Sequence, residues 1–78
     1  MTPFEIGQRI VCTDDAFRPS RYGEMMPRAR MIYTVRGRRL HPHGSVGLHL
    51  EETVNTPQVY RYGIEECCFR ASRFRPLA

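Results

Sequence analysis

Seventy-eight residues, or 9.1 kDa, leave room for one small domain, whose core buries only about 60% of the surface that the unfolded chain exposes; a second domain does not fit. With 41% hydrophobic and 26% charged residues, six Gly and six Pro, the composition excludes a disordered or fibrous chain. The net charge is +4, and all 12 basic residues are Arg, a residue whose flat guanidinium pairs with carboxylates and phosphates and stacks on rings.

Helical signals are weak, because Pro or Gly recurs every few residues and no window places apolar groups at 3.6-residue spacing. The first predicted strand is Gln8 to Thr13, opened by Gly7 and closed by the turn-forming pair Asp14-Asp15. Residues 14–29 hold Pro19, Gly23 and Pro27 among polar groups and are expected to form one long loop without a ladder of its own. From Arg30 a second strand is predicted, with Met31, Tyr33 and Val35 on one face and Ile32, Thr34 and Arg36 on the other, extended by Arg38 and Arg39.

His41-Pro42-His43-Gly44-Ser45 predicts a reversal, since Pro cannot donate to a ladder and Gly suits positive φ. In the strand that follows, Val46, Leu48 and Leu50 alternate strictly with Gly47, His49 and Glu51, the pattern of a sheet with one buried face. Asn55-Thr56-Pro57 marks a turn, Val59 to Tyr62 a short strand ended by Gly63, and Glu65 to Phe69 a last one. A sheet of four or five short antiparallel strands must curl to hide one face and its edges, and a small, partly open barrel is the economical solution. Its core is expected to hold Phe4, Ile10, Cys12, Tyr33, Val35, Val46, Leu48, Leu50, Cys68, Phe69 and Phe74.

The charge is patched. Residues 18–43 carry seven Arg against Glu24, a segment charge of +6, whereas residues 1–17 and 44–69 are net acidic. Arg18, Arg21, Arg28, Arg30, Arg36, Arg38 and Arg39 could therefore line one face, with Tyr22, Tyr60 and Tyr62 available to stack bases, which is the chemistry of a nucleic-acid groove on a small barrel. Pairing of these Arg with Glu51, Glu52, Glu65 and Glu66 would consume several of them, and a genome rich in G and C also favours Arg codons. Apolar residues of the long loop, Phe17 and the pair Met25-Met26, either tuck over the barrel or form a protein-docking patch.

Three Cys are an odd number for a disulfide framework, Met1 to Ile10 holds no apolar run of a secretory leader, and no stretch approaches the roughly 20 apolar residues that cross a bilayer. A cytoplasmic protein with no membrane partner is expected. His41, His43 and Cys67 or Cys68 invite a metal, but adjacent Cys on a strand point to opposite faces and no C-x-x-C pair exists, so neither metal nor other cofactor is expected. Cys12 and Cys68 are read as buried apolar side chains and Cys67 as a partly exposed thiol. Cys67, His49 and Asp15 could be named as a triad, as in any short chain, and Asp14-Asp15, Glu51-Glu52 and Glu65-Glu66 look like surface charge. An enzyme is not expected.

The stretches Phe4-Glu5-Ile6-Gly7-Gln8-Arg9-Ile10-Val11-Cys12-Thr13-Asp14-Asp15, Ile32-Tyr33-Thr34-Val35-Arg36-Gly37, Gly47-Leu48-His49-Leu50-Glu51-Glu52 and Phe69-Arg70-Ala71-Ser72-Arg73-Phe74-Arg75-Pro76-Leu77 together resemble short phage and prophage proteins with SH3-like barrels. Ala71-Ser72-Arg73-Phe74 stands where eukaryotic SH3 domains place a one-turn 3-10 element before the last strand. The resemblance implies a fold and a mobile-element setting, and no catalytic residues. The chain departs from those domains in lacking Trp and an acidic-aromatic first loop, the walls of a groove for Pro-rich peptides. The expectation is a small SH3-like module that binds rather than catalyses. A protein partner is its first reading, DNA or RNA its second, and an open sheet edge would also allow a homodimer.

Overall fold

A computed structural model of the chain describes residues 4–18, 22–60 and 63–77. Its described residues are mainly β and contain no α-helix: β1 (Arg9–Cys12), β2 (Ile32–Leu40), β3 (Val46–Leu50), β4 (Gln58–Tyr60), β5 (Gly63–Glu65), β6 (Phe69–Arg70) and β7 (Phe74–Pro76), with a 3-10 turn, Ala71–Arg73, between the last two. Five strands form an antiparallel sheet in the order β6-β3-β2-β1-β7, and β4 and β5 form a separate hairpin.

Strand β2 is the long element because it serves two neighbours. Its first half pairs with β1, Ile32 to Thr34 opposite Val11 to Arg9, and its second half with β3, Arg38 opposite Leu48. Between the halves the register shifts from Val35 opposite Leu50 to Gly37 opposite His49, a bulge that bends the strand. The ends of the strand order, β6 and β7, are separated in sequence only by the three residues of the 3-10 turn. At about 2 Å rise per residue such a link spans roughly 6 Å, so the sheet curls until its two edges approach.

The concave side is the core: Phe4, Ile10, Cys12, Tyr33, Val35, Leu48, Leu50, Phe69, Ala71 and Phe74, with Ile10, Val35, Leu48 and Leu50 wholly buried. The alternation of β3 holds as expected, Leu48 and Leu50 pointing in and Val46 half-buried at the rim. Three expectations are corrected. Met31 is 55% exposed, because Arg30 adopts a left-handed backbone (φ 72°) and β2 begins only at Ile32. Glu65 to Phe69 is not one strand, since Gly63 opens β5 opposite Tyr60 and residues 66–68 have no ladder. Off the ladder, period-two alternation does not govern the two Cys: Cys67 is partly exposed as expected, and packs against the core, whereas Cys68, expected to be buried, is partly exposed too.

The long loop carries no regular structure among its described residues, yet it is latched at several points. Asp15 accepts the Ala29 N–H at 3.1 Å across its base, and the buried Tyr33 hydroxyl accepts the Arg28 N–H at 2.8 Å. The buried side chain of Asn55 accepts the Met25 N–H at 2.8 Å and donates to its carbonyl at 3.0 Å, as a neighbouring strand would. Tyr22 donates its hydroxyl to the Val59 carbonyl at 3.0 Å. Phe17 lies edge-on to Phe69, 5.7 Å between ring centres, under the Arg73 guanidinium. Phe17 and Met26 are thus tucked against the core, while Met25 is exposed.

The outer edge of β7 is nearly devoid of donors. Thr13 donates to the Arg73 carbonyl and Leu77 to the Arg9 carbonyl, which puts Arg75 in register to bond Val11 and turns Phe74 and Pro76 outward. Pro76 has no N–H, and that of Phe74 is spent on the Ala71 carbonyl within the 3-10 turn.

Candidate functional site

The Arg-rich segment does not form one continuous face. Arg36 binds Glu66 at 2.6 Å and the Leu50 carbonyl at 3.1 Å; Arg38 donates to the Phe4 carbonyl at 2.6 Å; Arg39 pairs with Glu65. The expected pairing of Arg with Glu65 and Glu66 is therefore present, whereas Glu52 instead accepts the Thr34 N–H and hydroxyl at 2.7 and 2.8 Å. Arg18, Arg28 and Arg30 are exposed. Of the aromatic residues, Tyr22 anchors the loop to β4. Arg21, Tyr62 and the side chain of Tyr60 lie outside the described residues.

Glu66 is the hub of the loop attachment. Its Oε2 receives both Arg36 and, at 3.1 Å, the Asn55 N–H, so the strand β2, the segment before β4 and the loop beyond Asn55 hang on one carboxylate. Burial alone would raise its pKa, but the Arg36 and Asn55 hydrogen bonds win and hold it below the usual carboxylate range. Glu52 follows the same logic, burial being outweighed by the two Thr34 donors.

The His and Cys residues meet at a corner where the end of β2 faces the segment before β6. Cys68 Sγ lies 3.4 Å from His41 Nε2, and the rings of His41 and His43 stack 5.6 Å apart. Gly47 makes this possible, since a Cβ there would stand 2.4 Å from Cys68 Sγ and 3.1 Å from His41 Nε2. A cavity of about 340 Å³ opens beside the pair, lined by Arg39, His41, Pro42, Glu65, Glu66, Cys67 and Cys68. No three potential ligands gather for a metal among the described residues. His49 turns to the Glu66 carbonyl at 3.4 Å, while Asp15 serves the base of the long loop.

All three thiols are free, and burial raises each above its ordinary pKa. For Cys67 burial and the neighbouring Glu24 carboxylate push it up to about 12. The thiolate is the reactive form, so at pH 7 only roughly one Cys67 in 10⁵ is poised to attack. Iodoacetamide labelling followed by mass spectrometry is expected to leave Cys67 unmodified at neutral pH in the folded protein and to reach it on unfolding. Rapid labelling of Cys67 in the native state would refute this placement.

Among the described residues, two of the exposed surfaces combine several side chains on one strand face. On the β4-β5 hairpin Val59 stands directly opposite Ile64, and the two are 66% and 73% exposed. Glu65, alternating with Ile64, pairs with Arg39, so one face of the hairpin is tied to the body and the apolar pair is held outward. On the convex side of the main sheet, the residues alternating with the core form a second face: Arg9 and Val11 on β1, Ile32 and Thr34 on β2, Arg75 on β7, followed by Leu77. Sequence reasoning named neither. The alternation of Arg9 and Val11 with Ile10 and Cys12 was the available signal for the second face, and Val59 within its short strand for the first. Comparison of the chain with protein-family models, curated proteins and solved structures returns no match.

Proposed function

We propose that the chain is a non-catalytic, SH3-like binding module that works by protein–protein contact, in the phage or prophage setting that the sequence resemblance suggests and in the cytoplasm that its cysteine count and short apolar runs suggest. The fold reading draws support from the strand order, in which β6 and β7 close toward each other through a one-turn 3-10 element at Ala71–Arg73. Thiols held protonated by burial favour binding over nucleophilic chemistry. No helix among the described residues is long and apolar enough to cross a membrane.

The observation that carries the protein-contact reading is the Val59–Ile64 pair. A matched aliphatic pair held in water on an anchored hairpin loses hydration only when something docks on it. A photo-reactive phenylalanine analogue at position 59 or 64 is expected to cross-link a protein, and an adduct of twice the chain mass would identify a second copy. In parallel, labelled DNA and RNA are titrated at about 50 and 200 mM salt, the range over which phosphate-driven complexes weaken. Nucleic-acid binding that falls steeply with salt, with no protein adduct, would replace this reading by the nucleic-acid one.

A further inference from the structure

We propose that the convex face of β7, β1 and β2 is a second binding surface, for an extended peptide that alternates acidic with aliphatic side chains. Its centre is a groove of about 580 Å³ lined by Val11, Thr13, Arg30, Ile32, Arg75 and Leu77 together with Cys12 and Ala29. The floor is aliphatic, with Ile32 40% and Leu77 38% exposed. The rim is cationic. Among the described residues no carboxylate forms an ion pair with Arg9, Arg30 or Arg75; Arg75 donates only to the adjoining Pro76 carbonyl, 3.2 Å away. Glu52, which feels the Arg9 charge, is occupied by Thr34.

Charge complementarity therefore calls for an anionic partner, and the floor decides which kind. Single-stranded nucleic acid is ordinarily gripped by stacking its bases on aromatic rings, and among the described residues no aromatic ring lines this groove. Aliphatic side chains between carboxylates match it instead, each carboxylate meeting an Arg fork while its neighbour covers the exposed Ile32 or Leu77. Such a peptide would lie across the face rather than extend the sheet, because the outer edge of β7 has no free donor. Arg30 gives the face its most telling detail. Its φ of 72° is a conformation glycine adopts without strain, yet the position holds a guanidinium that lines the groove.

The test uses a fluorescein-labelled peptide alternating glutamate with valine and leucine, read by anisotropy at low salt with backbone amide shifts as the map. The expected result is saturable binding with shifts at Arg9, Val11, Ile32 and Arg75, weakened roughly tenfold by Arg75→Ala and by Leu77→Gln. Arg30→Gly is the decisive variant, because it should weaken binding to a similar degree while the thermal midpoint stays level or rises. Equal or tighter binding of a glutamate–serine peptide or of oligothymidine would overturn the proposal, as would shifts confined elsewhere or no binding at all. This face shares no residue with the Val59–Ile64 pair, so its failure would leave the hairpin reading to its own cross-linking result.

Discussion

Leu48→Asp is expected to leave the chain unfolded, with a flattened strand signal in circular dichroism and collapsed amide dispersion. Leu48 is wholly buried at the middle of β3, opposite Arg38 on one side and Phe69 on the other. The change forfeits about 1.5–3 kcal/mol of apolar burial and adds the penalty of a carboxylate with no partner in the core, several kcal/mol more. A domain of this size holds on the order of 5 kcal/mol in total, so the sum exceeds what is available. Leu40→Asp is the matched control: Leu40 ends β2 at 72% exposure, and the same substitution there should leave the fold intact. A folded Leu48→Asp protein with an unchanged urea midpoint would show that β3 does not face the core.

Asn55→Ala is expected to lower stability by about 2–3 kcal/mol, the scale of two lost hydrogen bonds to a main chain that is left half-buried. The loss should be local first. Amide exchange is expected to accelerate in residues 22–29, whose backbone the Asn55 amide holds at Met25, before β1 to β3 are affected. Acid should imitate the mutation. Glu66 and Glu52 both have folded pKa values below their unfolded ones, so their contribution is present above the unfolded value of about 4.3 and lost as pH falls through the folded one. Urea midpoints measured between about pH 7 and pH 3 should therefore fall, and Glu66→Gln should start lower and fall less. Identical pH profiles for the two proteins would remove Glu66 from the role of latch.

How much of this was legible beforehand varies with how local each cause is. β3 was readable because a sheet with one wet face writes its own period, and Leu48 and Leu50 sit where that period puts them. The reversal at 41–45 was readable for a similar reason, Gly44 supplying the positive φ (95°) that closes it. The start of β2 was not, because nothing in the letters announces that Arg30 turns left-handed and sets Met31 outside the ladder. The partial exposure of Cys68 escaped because residues 66–68 form no strand, so alternation says nothing of which side chain turns inward. The ion pairs were foreseen in kind, but the sharing of Glu66 between Arg36 and Asn55 joins residues 30 and 11 apart and depends on the curl of the sheet. The convex groove draws on residues 11 to 77, each of which, met singly, looks like the ordinary wet side of a strand.

The missing donors on β7 also set how large any assembly of this sheet can grow. Stacking copies indefinitely through the five-stranded sheet requires both outer strands to accept a newcomer, and β7 offers no free N–H at Phe74 or Pro76 to do so. Fibrous growth by backbone zippering along β7 is thereby hindered by one proline and one capped amide.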